Sequence, residues 1–295
     1  MAKLRIGISG WRYPPWRGKF YPKDLPQRLE LNYASRQLDT IEINGSFYSL
    51  QRPESWRNWY RDTPRGFLFA VKAPRFITHM RRLRDVEKPL ANFLASGVME
   101  LREKLGPILW QFPPNMKYDH DLFDTFLSRL PRDSKTALAM ARQHDSHIKH
   151  VGSLSPARNH RLRHAVEIRH ESFEDPAFIA LLRKHHVGLV VSDAASKWPK
   201  LQDVTAGFVY MRLHGNKLIY ASGYTDVALD DWARRIRAWM KGRQPRSGAN
   251  RASHQPPPKR ESRDVYCYFD NDAKVKAPFD AIKLRDRLRA VRTTG

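Results

Sequence analysis

The segment 163–173, RHAVEIRHESF, contains the most informative pattern of charged residues in the chain. It alternates as a β-strand does, so Glu167 and Arg169 fall on one face while Val166 and Ile168 fall on the other. A strand with one apolar and one charged face is typical of a scaffold with a polar interior or mouth. The segment therefore locates a candidate site without naming a reaction.

Groups of the same kind recur at the ends of other strand-like runs. Besides Glu167 and Arg169, the candidates are Glu42, Asn44, Lys72, Gln111, His170, Asp193, Arg212, His214 and Asp270 or Asn271. Burying so many ionisable groups costs on the order of several kcal/mol for each unpaired charge, which favours a functional site. The structural alternative is an internal ion network that pairs Glu167 with Arg212 and Glu42 with Lys72.

Two chemistries need no metal. Glu42 and Glu167 could form the acid/base pair of a glycoside hydrolase, with aromatic rings from the first loops stacking on a sugar. The same rings could stack on bases while cationic side chains hold phosphate. The rings are those of Trp11, Tyr13, Trp16, Phe47 and Tyr48, and the cations are Arg12, Lys72, Arg169 and Arg212.

A divalent cation is the third alternative, with Glu167, His170, Asp193 and His214 as ligands. No HExxH or paired-cysteine spacing occurs in the chain, and Arg169 beside these ligands would repel a cation. The sequence therefore predicts no metal and no cofactor, and the divalent cation is the less supported alternative.

Eight strand-like runs position the candidate residues, and helical patterns with three- and four-residue spacing separate most of them. The runs span 5–11, 40–48, 67–74, 107–112, 164–170, 187–193, 208–214 and 265–271. Eight β/α units with a terminal helix predict an α/β fold, a single-domain TIM (β/α)8 barrel over residues 1–295. A doubly wound parallel sheet is the alternative. In a barrel the carboxyl ends of the strands share one mouth, where the candidates would converge.

Three connections depart from the regular repeat. Residues 194–207 lack a long helical period, which predicts a short helix or turn, and a second helix is predicted near 136–148. Residues 242–264 are rich in Pro, Ser, Gly and Arg without an apolar period. This composition predicts a flexible basic insertion between the seventh helix and the eighth strand.

The chain is strongly basic, with 53 Lys and Arg against 30 Asp and Glu, or a net charge of +23. The insertion contributes +4 and leaves +19 on the rest of the chain. Such a charge favours an anionic ligand, with DNA or RNA as the macromolecular candidates. Solubility alone would also account for it, and the sequence gives no indication of oligomeric state.

Cys267 is the single cysteine, so no intrachain disulfide can form. The chain has no apolar leader at its amino terminus and no stretch long enough to span a bilayer. These features predict a soluble, cytoplasmic protein without a membrane partner.

Motifs near most strand ends carry a family resemblance. They include GISGW at 7–11, WRGKFYP at 16–22, EINGSFY at 42–48, FAVKAP at 69–74, QFPP at 111–114, EIRHESF at 167–173, RLHG at 212–215 and YFDNDAKVKAPFDA at 268–281. Together they make the chain similar to the YecE-like family, a set of TIM-barrel proteins grouped as a domain of unknown function. The resemblance implies the barrel but no agreed reaction. Phe173, where a tryptophan is common, and the basic insertion depart from the family pattern.

The sequence thus predicts a barrel mouth that binds a phosphate-bearing ligand, a nucleic acid or nucleotide, with phosphoester hydrolysis as the candidate reaction. A glycoside-processing hydrolase and a non-catalytic binding module are the alternatives. Glu167, His214 and Glu42 are the predicted catalytic residues. The predicted ligand-binding residues are Trp11, Arg12, Asn44, Phe47, Tyr48, Lys72, Gln111, Arg169, His170, Asp193, Arg212 and Asn271.

Overall fold

Eight parallel strands close into a barrel in chain order, with β8 paired to β1. The computed structural model describes residues 2–155, 158–245 and 250–290. The strands are β1 Leu4–Ser9, β2 Thr40–Ile43, β3 Leu68–Lys72, β4 Leu105–Gln111, β5 His164–Glu167, β6 Gly188–Asp193, β7 Phe208–Leu213 and β8 Asp264–Phe269. The predicted TIM barrel is confirmed, and the doubly wound sheet is wrong because the sheet has no edge.

Helices connect most consecutive strands and cover the outside of the barrel. They are α1 Glu30–Gln37, α2 Gly45–Tyr48, α3 Pro53–Asp62, α4 Glu87–Ala95, α5 His120–Arg129, α6 Ser134–Ala141, α7 Pro176–Lys184, α8 Asp226–Met240 and α9 Ala277–Ala290. In the described ranges, no helix is long and apolar enough to cross a membrane.

Most predicted strands extend past the observed carboxyl ends, and the second and fifth do so by the most residues. β2 ends at Ile43, and the following GSFY forms the short helix α2. This helix is held in place because the Ser46 hydroxyl donates a hydrogen bond to the Lys72 carbonyl oxygen at 2.7 Å. β5 ends at Glu167, so Arg169 lies beyond the strand. In both cases the extended pattern of the sequence continues past the last ladder hydrogen bond.

The irregular connections follow the sequence prediction in part. The segment 194–207 contains turns and no helix, as predicted. The second helix after β4 is also present as α6, where the Asp133 carboxylate caps the first turn by accepting from the Thr136 backbone N–H at 2.8 Å. It ends at Ala141, earlier than predicted, because the Asp145 carboxylate accepts the His147 backbone N–H at 2.9 Å in a turn.

The basic insertion packs on the β6–β7 connection. Asn250 accepts a backbone hydrogen bond from Gln202 at 2.8 Å, and the Asp203 carboxylate accepts two backbone N–H groups of the insertion at 2.9 and 3.1 Å. Arg263 is 1% exposed and donates to two carbonyl oxygens. Residues 246–249 lie outside the described residues. Elsewhere the segment has specific partners, which its composition does not reveal, and its flexibility stays a prediction.

The barrel interior is filled unevenly. On β7 the side chains of Phe208, Tyr210 and Arg212 alternate toward the interior, while β3 and β5 contribute the small residues Ala70 and Ala165. Large rings from one side of the barrel therefore reach across to small residues on the other. The interior changes from apolar to ionic toward the carboxyl ends of the strands, which positions the site.

Gly7 on β1 is another small residue at a crowded position of the barrel, like Ala70 and Ala165. We expect Gly7→Ala to destabilise the barrel. An added Cβ would lie 1.7 Å from the Thr40 carbonyl oxygen, so the paired strands would have to shift. Overpacking of this kind lowers the free energy of unfolding by about 3 kcal/mol, measurable by urea denaturation. Gly45→Ala is the control, because its Cβ meets only the Gln51 side chain at 3.5 Å. Equal stability of Gly7→Ala and the parent protein would contradict this close packing.

Candidate functional site

Arg212 lies at the centre of the barrel mouth, on the interior face of β7, with 1% of its surface exposed. Its guanidinium donates to Glu42 at 2.9 and 3.2 Å, to Glu167 at 2.8 Å and to Asp270 at 2.8 Å. Burial opposes the charge, but the surrounding carboxylates outweigh it and raise the Arg212 pKa well above its ordinary value. One cation thus holds three carboxylates together.

Glu42 is fully buried beneath Arg212. Besides two bonds from the guanidinium, its carboxylate accepts from the Ser9 hydroxyl and the Tyr210 hydroxyl, each at 2.5 Å. Asn44 in turn donates to the Ser9 oxygen at 2.9 Å. Every acceptor position of Glu42 is therefore occupied from within the barrel, and this residue does not line the open cleft above it.

Glu167 has one occupied and one unoccupied carboxylate oxygen. Oε2 accepts from Arg212 and from the Gln111 amide at 2.8 Å, whereas Oε1 has no hydrogen-bond partner among the described residues. Burial raises the Glu167 pKa, but Arg212 and Arg169 lower it more, and it lies well below its ordinary value. Glu167 is consequently ionised at neutral pH and has no proton to donate, contrary to a role as general acid.

His214 is buried between two carboxylates. Its Nδ1 lies 2.9 Å from Asp270 and its Nε2 lies 3.4 Å from Glu167, although the ring is not aligned for a hydrogen bond with either. Burial lowers the His214 pKa, but Asp270 and Glu167 raise it more, which favours the imidazolium form. Burial raises the Asp270 pKa, but the opposing effect of Arg212 is part of a larger lowering, and the pKa falls to about 2.

An open cleft of about 810 Å³ lies above this ionic floor. Seven of the predicted ligand-binding residues line it: Asn44, Phe47, Tyr48, Lys72, Gln111, Arg169 and Arg212. They meet because β2, β3, β4, β5 and β7 end at the same rim. These seven residues therefore lie together at one mouth, as the strand ends in the sequence predicted.

Two largely buried cations in the cleft wall are free of hydrogen bonds in the described part of the chain. The side chain of Arg169 is 13% exposed, its guanidinium stacks on the Trp198 ring at 3.8 Å, and its one ion pair is with Glu167 at 3.5 Å. Lys72 is 8% exposed and its Nζ lies 4.1 Å above the Phe47 ring. Burial and Arg212 lower the Lys72 pKa to about 8. Of the two pairs in the ion-network alternative, Glu167 with Arg212 is present, whereas Glu42 pairs with Arg212 instead of with Lys72.

Five predicted ligand-binding residues do not line the cleft. Trp11 is largely buried and packs edge-on against Trp59 at 5.5 Å, so it belongs to the core. Arg12 is exposed outside the cleft. His170 accepts from the Ser172 backbone N–H at 3.0 Å and caps the short helix Glu171–Phe173. These residues follow strand ends, where the loop, rather than alternation, sets the direction of the side chain.

Asp193 and Asn271 have structural partners instead of a place in the cleft. The Asp193 carboxylate accepts from Lys200 at 2.7 Å. The Asn271 amide donates to the Asp280 carboxylate at 2.8 Å, so Asp270, and not Asn271, faces the mouth. Of the four residues considered as cation ligands, Glu167 and His214 adjoin each other, but His170 and Asp193 bind other partners, and no group of three potential metal ligands occurs among the described residues.

Sequence reasoning missed several residues of the cleft. Asp272, two positions after Asp270, lines it together with Arg75 and His79. Burial and Asp270 raise the Asp272 pKa. The alternation of acids in the segment 268–281 was the available signal for Asp272. His79 lies within a π-helix, Phe76–Met80, whose irregular turn no periodicity reveals.

We expect Arg212→Met to lower the free energy of unfolding by about 3–5 kcal/mol, because it leaves buried carboxylates without their cation. Chemical denaturation measures this loss. Arg61→Met is the control, since Arg61 is exposed and its pair with Asp62 spans 3.7 Å, so its effect stays within about 1 kcal/mol. A change in Arg212→Met as small as in Arg61→Met would contradict the central role of this guanidinium.

The ion pairs of Asp270 should give an acid-dependent stability. Because folding lowers the Asp270 pKa from 3.8 to about 2, its contribution is complete above pH 3.8 and is lost as the pH falls toward 2. The stability difference between the parent protein and Asp270→Asn should therefore shrink by roughly 2 kcal/mol over this range. Denaturation at a series of pH values tests it, and a constant difference would argue against the lowered pKa.

Comparisons with known proteins agree with this fold. The family model "Protein of unknown function DUF72" matches residues 5–294. A segment of 116 residues, 38% of this chain, is 30% identical to 40% of the UPF0759 protein YunF of Bacillus subtilis. A segment of 113 residues, 37% of this chain, is 27% identical to 38% of the UPF0759 protein YecE of Escherichia coli. The matched part thus spans about two fifths of each of these relatives.

Solved structures show the same architecture. A DUF72 family protein from Thermotoga maritima superimposes with a TM-score of 0.72 at 21% identity, over 97% of this chain and 99% of the other. One from Enterococcus faecalis gives 0.68 at 17% identity, over 97% and 95%. At such identities the likeness shows the fold alone. With a family model that covers nearly its whole length, the chain belongs to the DUF72 family, which includes the YecE-like proteins.

Proposed function

We propose that the cleft binds a phosphate-bearing ligand, a nucleotide or nucleic acid. The observation that carries this proposal is the pair Arg169 and Lys72, two largely buried cations that donate no hydrogen bond to any described residue. Burying a cation without partners is costly, and phosphate oxygens supply the acceptors that both side chains lack. Two further buried atoms in the wall, Asn44 Oδ1 and Arg169 Nε, also have no partner in the described chain.

The cations divide into two sets. Arg212 directs its donors to Glu42, Glu167, Asp270 and the Ser9 hydroxyl, and so supports the site from below. This assignment differs from the sequence-based one, in which Arg212 itself holds phosphate. The guanidinium of Arg169 presents a planar fork that matches phosphate oxygens, and its charge is permanent.

Aromatic side chains beside these cations suit the rest of a nucleotide. Phe47 packs under Lys72, and Tyr48, which is 66% exposed, stacks with Arg75 at 5.5 Å at the rim of the cleft. Every nucleobase has a flat face that stacks on such rings, so this contact would tolerate any base sequence. The net charge of +23 adds a long-range attraction for polyanions.

Phosphoester hydrolysis in this cleft would depend on Asp272 rather than on Glu167. Asp272 lines the cleft and its pKa is raised by burial and by Asp270, as an acid/base group requires. The glycoside-hydrolase alternative is less favoured, because neither Glu42 nor Glu167 lines the cleft. A non-catalytic binding module is favoured by one observation, namely that Glu42 is completely occupied by structural hydrogen bonds.

The proposal is tested by fluorescence anisotropy with a labelled oligothymidylate and a labelled nucleoside triphosphate. Arg169→Met and Lys72→Met should each weaken binding about tenfold and reduce the slope of log affinity against log salt by about one. A double variant, Arg251→Met with Lys259→Met, is matched in type but lies in the exposed basic insertion. It should change oligothymidylate binding weakly and leave nucleotide binding unchanged.

Equal losses in the cleft and insertion variants would indicate nonspecific electrostatic binding and contradict the proposal. Undiminished affinity in Arg169→Met would do so as well, provided that circular dichroism shows the variant to be folded.

A further inference from the structure

Two lysines of this chain are largely buried, and their surroundings differ in kind. Lys104 is 5% exposed, and its Nζ donates to the Tyr60 carbonyl oxygen and to both oxygens of Thr63, at 2.6 to 3.1 Å. All three of its protons are used. Lys72 is 8% exposed, yet its Nζ makes no hydrogen bond or ion pair with the described residues and contacts the face of Phe47 at 4.1 Å. Lys104 is therefore structural, whereas the Lys72 ammonium group has no hydrogen-bond acceptor among the described residues.

The position of Lys72 gives its amine access to a bound molecule. It is the last residue of β3 and lines the open cleft. The Ser46 hydroxyl binds the Lys72 carbonyl oxygen at 2.7 Å, which secures the backbone as well. A buried, desolvated lysine at a strand end of a barrel is arranged as carbonyl-attacking amines require.

Lys72 is surrounded by charged or titratable groups from three strands, from the residue after β8 and from the adjoining π-helix. Burial and the positive charge of Arg212 on β7 both disfavour the protonated form of Lys72. The carboxylates of Glu42 on β2, Glu167 on β5 and Asp270 after β8 favour it. The balance lowers the pKa of Lys72 to about 8, so near pH 8 about half of the amine is unprotonated.

His79, in the π-helix after β3, faces the same group. Burial and Lys72 lower the His79 pKa to about 4. His79 is therefore neutral at the pH at which Lys72 titrates and leaves a lone pair available to exchange protons in the cleft.

We infer that Lys72 forms an imine with the carbonyl group of a phosphate-bearing aldehyde or ketone, such as an open-chain sugar phosphate, bound in the cleft. Arg169 holds the phosphate, since its guanidinium stays charged while the lysine reacts. The inference goes beyond the proposed function, because it assigns a covalent reaction. It shares with that function the phosphate anchor Arg169, and for a carbonyl-bearing ligand it gives Lys72 a reacting role in place of phosphate binding.

The reaction is balanced without an oxidant or reductant. The Nζ lone pair forms a bond to the carbonyl carbon, and the carbonyl π electrons move to oxygen. One proton passes from nitrogen to oxygen to give a carbinolamine. The hydroxyl group then leaves with a proton as water, and a C=N bond forms, so amine and carbonyl give imine and water. Asp272 and His79, which line the cleft, are the groups available to carry these protons.

Reductive trapping of the intact chain tests the inference. Pyridoxal 5′-phosphate serves as a phosphate-bearing aldehyde and pyridoxal as its phosphate-free counterpart, each with sodium cyanoborohydride, which reduces an imine to a stable secondary amine. Peptide mass spectrometry then gives the labelling rate of each lysine. Lys104, buried and paired, and Lys88, exposed with its Nζ bound to the Gln143 carbonyl oxygen, are internal references.

We expect Lys72 to react at least tenfold faster than either reference lysine near pH 7.5, because a pKa about 2.5 units below 10.5 increases the unprotonated fraction by roughly two orders of magnitude. Its rate should reach half of its maximum near pH 8. Lys72→Arg should abolish this fast labelling while Lys88→Arg leaves it intact. If Lys72→Arg fails to fold, the comparison among lysines of the parent chain decides the question.

The outcomes separate this inference from the proposed function. Labelling spread evenly over exposed lysines, with Lys72 no faster, overturns the imine even if anionic ligands bind in the cleft. Fast labelling of Lys72 by pyridoxal and its phosphate alike supports the imine and contradicts the phosphate anchor. Fast labelling by the phosphate alone supports both, and Arg169→Met should then remove the preference.

Discussion

The guanidinium of Arg212 is the interaction on which the rest of the barrel mouth depends. Three carboxylates, from β2, from β5 and from the residue after β8, converge on this one side chain. Burying three carboxylates is costly, and the Arg212 guanidinium offsets that cost because it donates a hydrogen bond to each of them. Strands distant in sequence are thus linked to one another by a single cation.

This constraint explains why the charges of the mouth have unequal roles. A cation satisfied by three carboxylates is a rigid support with little left to offer a ligand. Arg169 and Lys72 stand one layer higher, supported by Trp198 and Phe47, aromatic faces that hold a cation without using its N–H donors. The result is a fixed floor of saturated ion pairs below a wall of unsaturated donors. Preorganised donors of this kind are what binding and catalysis require.

Much of the fold was predictable from the sequence, because strand alternation and helical period reflect burial directly. The alternation in 163–173 placed Glu167 inside the barrel, and the eight-unit repeat identified the number and order of the strands. Residues beyond the last ladder hydrogen bond were not predictable in this way. His170 and Asn271 turn to local partners, while Asp272 returns to the cleft. Nor could the sequence reveal that Arg212 binds Glu42. That pairing depends on the distance across the barrel between β2 and β7, which are not adjacent strands.

The basic insertion also has a meaning that its composition conceals. The β6–β7 connection has no helix of its own, and here Asn250 and the backbone bonded to Asp203 lie against it. The insertion therefore substitutes for the missing outer layer of one β/α unit. It joins α8 to the amino end of β8, at the end of the barrel opposite the mouth. Its surface charges can vary without affecting the chemistry of the cleft, but its anchoring residues are as much a part of the architecture as any helix.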